Sequence, residues 1–183
     1  MAVEKGVWGY IENRDHRVMR RVNSWAAPRW IRHWMLTATR MGDGWLWYGL
    51  GAILLAFGGA RGYAAVGAAA CAGISGVFVF KALKKLSHRP RPCQVQPHCW
   101  AKVLPPDRFS FPSGHTMSAF SIALVVSYFY PTLEWPLYFL ALSIGVSRII
   151  LGMHFLSDVL AGAVLGSALG VASIVAFAAY GLA

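Results

Sequence analysis

The segment SRIILGMHFLSDVLAGAVLGSALG, residues 147–170, closes one apolar run and opens another, and it holds Ser147, Arg148, His154 and Asp158 around the junction. Ionisable groups at membrane depth cost at least about 2.5–3.5 kcal/mol each on insertion scales, so a junction of this kind marks a functional site by default. It also decides the fold class. An apolar run over 135–153 followed at once by another over 155–181 reads as two membrane helices that follow each other back across the bilayer. Gly162, Gly166 and Gly170 recur every fourth residue in the second run, a small-residue seam that lets helices approach closely. Packing within the chain is the expected use of that seam, ahead of dimerisation.

Three further runs, 44–60, 62–83 and 114–130, are long enough or nearly so to cross the bilayer, since about 30 Å of hydrocarbon takes roughly 17–25 helical residues. Of 183 residues, 57% are hydrophobic and 13% charged, against roughly 25% charged in soluble domains. The fold class is therefore all-α, a polytopic transmembrane helix bundle of about five spans. No composition break divides it, so residues 1–183 read as a single domain.

Residues 1–43 carry a cluster of Lys/Arg and no long apolar run, which makes them neither a span nor a cleavable signal peptide. Trp25, Trp30 and Trp34 interleave with Arg29 and Arg32 there. That pattern suits an N-terminal interfacial helical segment in the headgroup layer; an ordinary packed cytoplasmic helix is the alternative. The net charge of +10 fits anionic lipid headgroups. Nucleic acid is not expected, because the basic residues form no recognition motif.

Following the runs back and forth puts the unusual polar residues on one side of the membrane. Lys84 and Arg91 follow the second span, Ser113 and His115 open the third, Arg148 ends the fourth, and His154 and Asp158 open the fifth. The opposite loops hold little beyond Arg61 and Glu134. A buried Arg148–Asp158 ion pair would explain two of these groups and leave Lys84, Arg91, His115 and His154 without a purpose.

The residue types suit phosphate chemistry. Arginine presents a planar fork to phosphate oxygens and lysine a mobile point charge, so Lys84, Arg91 and Arg148 suit an anionic ligand. In FPSGH, residues 111–115, Pro112 stops what precedes it, Ser113 is a favourable N-cap, and Gly114 lets backbone approach a ligand. A helix N-terminus there is a ready anion site, with His115 beside it. His154 and Asp158 stand at i and i+4 on one helical face. A carboxylate so placed holds one imidazole nitrogen protonated and leaves the other free to attack phosphorus, giving a phosphohistidine. His115 then serves as general acid on the leaving alkoxide and as base on the hydrolytic water. No carboxylate cluster with metal spacing is present, so the chemistry requires no metal or other cofactor.

These residues resemble the type 2 phosphatidic acid phosphatase, or lipid phosphate phosphatase, superfamily. Its signature of Lys-x6-Arg-Pro, Pro-Ser-Gly-His and Ser-Arg-x5-His-x3-Asp stands here as KKLSHRPRP (84–92), PSGH (112–115) and SRIILGMHFLSD (147–158). Only Lys84 with Arg91 has the first spacing, because Arg89 would need its lysine where Ala82 stands. The resemblance implies Lys84, Arg91, Ser113, Gly114 and Arg148 as phosphate ligands, His115 as general acid, His154 as nucleophile, Asp158 as its orienting partner, and metal independence. It further implies a multi-pass protein of the bacterial inner (cytoplasmic) membrane. Many bacterial members resemble a six-span bundle, and this chain is expected to lack the first span. The family's soluble vanadium-dependent haloperoxidases are excluded by the spans.

Expected substrates are phosphorylated membrane lipids whose tails stay in the bilayer: phosphatidylglycerophosphate, phosphatidate or polyprenyl diphosphate. An anionic-lipid transporter and a non-catalytic membrane scaffold are the alternatives. All Lys/Arg except Arg61 fall on the site side, which by the positive-inside rule is cytoplasmic, whereas the resemblance implies the periplasmic face. Cys93 and Cys99 would form a disulfide if their loop faces outward, or stay as thiols; with His88 and His98 they fit no standard zinc spacing.

Overall fold

The computed structural model describes residues 6–96 and 108–181. Among them the chain forms α1 (Val7–Asn23), α2 (Arg29–Met41), α3 (Trp45–Phe57), α4 (Gly59–Ser87), the single turn α5 (Pro92–Val95), α6 (Gly114–Phe129), α7 (Glu134–Ile150) and α8 (Leu156–Ala179). A 3-10 turn, Pro131–Leu133, leads into α7. Cys99 and His98 lie outside the described residues, and with them the disulfide and zinc expectations.

Three of these segments are long and apolar enough to cross a membrane: Gly59–Ser87, Pro131–Ile150 and Leu156–Ala179. The other two expected spans are shorter apolar helices, α3 with 13 residues and α6 with 16. At 1.5 Å per residue they reach only about 20 and 24 Å. Their ends have local causes. The chain turns from α3 into α4 at Gly58 and Gly59, where a Cβ on Gly62 would sit 2.1 Å from the Leu54 carbonyl oxygen. Helix α6 starts after Pro112 and stops before Pro131, neither of which can donate a backbone N–H.

Helix α6 is the centre of the bundle, packed by α4, α7 and α8. The glycine seam explains its closeness to α8. A Cβ on Gly162 would lie 2.6 Å from the Ser113 oxygen, and one on Gly166 would lie 2.2 Å from the Met117 oxygen. The seam therefore serves packing within the chain, as the small-residue rule allows. Ala119, Ala123, Val125, Val126 and Ile144 form the core around α6. Phe57, Phe78, Phe139, Leu160 and Val164 point outward, an apolar exterior of the kind a bilayer covers.

The N-terminal segment, α1 and α2, meets the bundle directly. It folds as two helices packed on the site end of the bundle. Ile31, Trp34, Met35 and Leu36 of α2 pack on Ile150, Leu151 and Met153, and the Trp34 ring lies 5.9 Å from Phe139. Trp25 and Trp30 remain exposed. A Trp/Arg pattern marks an amphipathic helix but does not say whether protein or headgroups meet its apolar side.

Candidate active site

The turn between α7 and α8 is built by backbone. Gly152 takes a positive φ of 66°, which a glycine adopts without a Cβ clash. The chain then doubles back so that the N–H groups of Met153 and His154 both donate to the Arg148 carbonyl, at 3.0 and 3.1 Å. The segment after α4 is latched onto this turn. Cys93 donates its N–H to the Gly152 oxygen at 3.1 Å, and Arg91 Nη1 donates to the Met153 oxygen at 2.7 Å.

Arg91 is 1% exposed, and its Nη1 also lies 3.2 Å from His154 Nε2. A guanidinium has donors only, so the imidazole nitrogen facing it must be the acceptor. That fixes the tautomer: neutral His154 carries its proton on Nδ1. Nδ1 in turn faces Asp158 Oδ2 at 3.7 Å, an ion-pair contact longer than a hydrogen bond. Burial pushes the His154 imidazole down to about 4; Asp158 opposes this, and the charges of Arg148 and Arg91 reinforce it.

The remaining predicted residues gather around this pair. Ser113, fully buried, donates its N–H to the Asp158 carbonyl at 3.0 Å and shares a 2.8 Å hydrogen bond with Thr116. Arg148 is held at the end of α7 by a 2.6 Å hydrogen bond from Nη1 to Thr39 of α2. Its charge and that of Arg91 act on both His154 and His115. The Lys84 Nζ lies 4.5 Å from the centre of the Phe80 ring. Phe80 abuts Gly114, where a Cβ would be 2.8 Å from its Cε2. All eight residues singled out in the sequence thus stand at one end of the bundle. The Arg148–Asp158 ion pair does not form; Asp158 pairs instead with Arg89, at 2.6 Å.

A cavity of about 860 Å³ opens beside them, lined by Trp47, Leu54, Gly73, Val77 and Ile122 among others, with His115 and Gly114 at its polar end.

Residues 62–181, which include all three motifs, match the PAP2 superfamily. The chain belongs to that superfamily. It is 46% identical over 57 residues to the bacitracin transport permease protein BcrC of Bacillus licheniformis, covering 31% of this chain and 28% of that protein. It is 37% identical over 97 residues to phosphatidylglycerophosphatase B of Bacillus subtilis, covering 47% of this chain and 45% of that protein. Each match thus spans less than half of the relative's length. Among solved structures, LpxE of Aquifex aeolicus superposes with a TM-score of 0.75 at 26% identity, over 95% of this chain and 99% of that one. A transmembrane PAP2-type phosphatidylglycerolphosphate phosphatase from Bacillus subtilis superposes with a TM-score of 0.70 at 24% identity, over 90% of this chain and 84% of that one. The all-α transmembrane fold expected from the sequence is that of the PAP2 superfamily, and the chain is a multi-pass membrane protein.

Four residues of the site escaped the sequence reading: Thr39, Asp43, Arg89 and Asp15. Asp43 Oδ1, in the turn between α2 and α3, lies 2.8 Å from His115 Nε2. Arg89 lacks the motif spacing, since Ala82 stands where its lysine would be. None of the four carries a local signal, since each finds its partner through a contact made only in the folded chain.

Proposed function

We propose that the chain is a membrane phosphatase that removes phosphate from a lipid headgroup through a phosphohistidine on His154, in a single domain spanning residues 1–183. The observation that carries this reading is the pairing of His154 Nε2, as acceptor, with the buried Arg91 guanidinium at 3.2 Å, while Asp158 stands behind Nδ1. Such an imidazole presents a lone pair where a cationic pocket would draw a phosphate.

In the first step the Nε2 lone pair attacks phosphorus and the bond from phosphorus to the headgroup oxygen breaks. The leaving oxygen takes a proton from His115, and Asp158 stabilises the proton on Nδ1. In the second step His115 takes a proton from water, the hydroxide oxygen attacks phosphorus, and the P–N bond returns its electrons to Nε2. The net change is ester and water to alcohol and phosphate. Lys84, Arg91, Arg148 and the Gly114 and His115 N–H groups in the first turn of α6 stabilise the charge on the phosphoryl oxygens.

The 860 Å³ cavity suits the apolar part of a lipid whose phosphate lies at His115. The name of the Bacillus subtilis relative supports phosphatidylglycerophosphate as the first lipid to try, with phosphatidate and polyprenyl diphosphate beside it. In this reading α3, α4, α6, α7 with its leading turn, and α8 make five spans, and the membrane thins locally or flanking side chains snorkel at the short α3 and α6. The exposed Trp25 and Trp30 sit in the headgroup layer.

A transport reading has one support, the name of the Bacillus licheniformis relative over its 57 matched residues. Phosphate release by the purified protein in detergent with EDTA, across the three lipids and with His154→Ala alongside, separates the two. Release that is lost in the variant supports the phosphatase. Binding of all three lipids without release supports transport.

A further inference from the structure

Helix α1 reaches into the His154–Asp158 turn through a buried polar chain that the phosphatase steps do not use. Asp15 of α1 is 2% exposed. Its Oδ1 accepts the Ser157 N–H at 3.0 Å, and its Oδ2 accepts from the Ser157 hydroxyl and from Arg89 Nη2, the latter at 2.6 Å. The other arm of the Arg89 fork, Nη1, donates to Asp158 Oδ1 at 2.6 Å and to Ser157 Oγ at 2.7 Å. The Arg89 guanidinium also lies 4.3 Å from the centre of the Phe155 ring, whose edge meets His16 of α1 at 5.4 Å. One helix thus grips Phe155, the residue after His154, and Ser157, the residue before Asp158.

The geometry bears on Asp158. Its Oδ1 is taken by Arg89, and its Oδ2 accepts the Phe155 N–H at 2.8 Å. With one oxygen fixed by each donor, the carboxylate plane cannot turn, and Oδ2 is the oxygen left facing His154 Nδ1. Burying two carboxylates beside a guanidinium that stays 23% exposed is costly unless the hydrogen bonds are complete, and replacing a buried ionic cluster with apolar side chains is often neutral or stabilising. Fastening α1 therefore does not by itself require charges here.

We propose that Arg89 and Asp15 are positioning residues, which hold the Asp158 carboxylate in the orientation that keeps the His154 proton on Nδ1 and its lone pair aimed at phosphate. This rests on the phosphatase reading with His154 as nucleophile. The chain of influence runs from Asp15 to Arg89 to Asp158 to His154, so Asp15 acts through Arg89. Neither touches the ligand.

The test is steady-state turnover of phosphatidate by the full-length protein in detergent, with inhibition by inorganic phosphate measured on each variant. Arg89→Gln lowers kcat by roughly 10–100-fold, the scale for residues that orient a catalytic histidine through its partner. Arg89→Lys recovers part of that loss, and Asp15→Asn loses less than Arg89→Gln. The double variant Asp15→Asn, Arg89→Gln is no slower than Arg89→Gln alone, and in an Asp158→Asn background Arg89→Gln has no further effect. KM and the inhibition constant of phosphate stay within about twofold throughout, because Lys84, Arg91 and Arg148 are untouched. A fastening role alone would instead give additive losses that persist in the Asp158→Asn background. That result overturns the proposal, as does Arg89→Gln with kcat within about twofold of the parent. If His154→Ala turns over as fast as the parent, the phosphatase reading falls and the positioning role with it. A dead His154→Ala beside a fully active Arg89→Gln sinks the positioning role alone.

Discussion

His115 Nε2 lies 2.8 Å from Asp43 Oδ1, although 72 residues separate the two and Asp43 belongs to none of the three motifs. The contact is close-set. A Cβ on the neighbouring Gly42 would lie 2.8 Å from His115 Cδ2. With Nε2 engaged by a carboxylate, Nδ1 is the nitrogen left to exchange a proton with the leaving oxygen, and the carboxylate stabilises the imidazolium that His115 must be before it acts as an acid.

Asp43→Asn removes that stabilisation. The expected outcome is a roughly tenfold or greater loss of kcat on alkyl lipid phosphates, where general acid catalysis supplies about 10²–10⁴-fold. An aryl phosphate such as p-nitrophenyl phosphate, whose leaving group needs no proton, should lose much less. Comparing the two substrates on the same preparation checks the role of the pair. Equal losses on both would assign Asp43 to the fold of the α2–α3 turn instead.

The pH behaviour of His154 follows from its burial. An imidazole pushed down from 6.5 to about 4 stays neutral, and so stays a nucleophile, across the physiological range. The unfolded chain binds the proton first, so this residue lowers stability as pH falls from about 6.5 towards 4 and has no effect on it above that window. Titration of ¹⁵N-labelled histidine by NMR in detergent, with His154→Gln to assign the signal, is expected to show one imidazole neutral down to about pH 5.

The apolar cavity makes a separate claim on substrate choice. Gly73 lines it, and a Cβ there would meet nothing within 4 Å. Gly73→Phe should therefore fold and fill part of the space. Its KM for a long-chain phosphatidate is expected to rise by about tenfold or more, with little change for a short-chain, water-soluble phosphate ester. The two KM values measured side by side decide whether this cavity holds the tail.

The seam between α6 and α8 sets a stability prediction. Gly166→Val places carbon where the Met117 carbonyl oxygen would lie 2.2 Å away, and backbone cannot yield as a side-chain tip can. A loss of at least about 1–3 kcal/mol is expected, as for an overpacked core. Gly49→Ala, where a Cβ meets nothing within 4 Å, serves as the control. Thermal unfolding of both variants in the same detergent gives the comparison.

The sequence was most legible where chemistry and helix ends coincide. The junction at 147–158 announced both the turn between α7 and α8 and the residues it carries, because charges interrupting apolar runs leave few alternatives. The first expected span came out as the shorter α3, since hydropathy over 44–60 does not register where Gly58 and Gly59 turn the chain. The residues behind the histidines were hidden for a different reason. Asp15 is 74 positions from Arg89, and a carboxylate among the arginines of α1 reads as part of a solvated basic face. Arg89 stands inside the first motif, at a position to which the motif's spacing gives no role. Only packing α1 onto the α7–α8 turn turns that surface into a buried network.

The central claim, that phosphate passes through His154, is tested most directly by rapid quench. Phosphatidate labelled with ³²P is mixed with the purified protein in EDTA, quenched in base within the first turnover, and the labelled peptide is identified by mass spectrometry. The account predicts acid-labile, base-stable label on His154, absent from His154→Ala, forming and decaying at rates fast enough to support turnover. Turnover without any such label, or label that persists in His154→Ala, would contradict it.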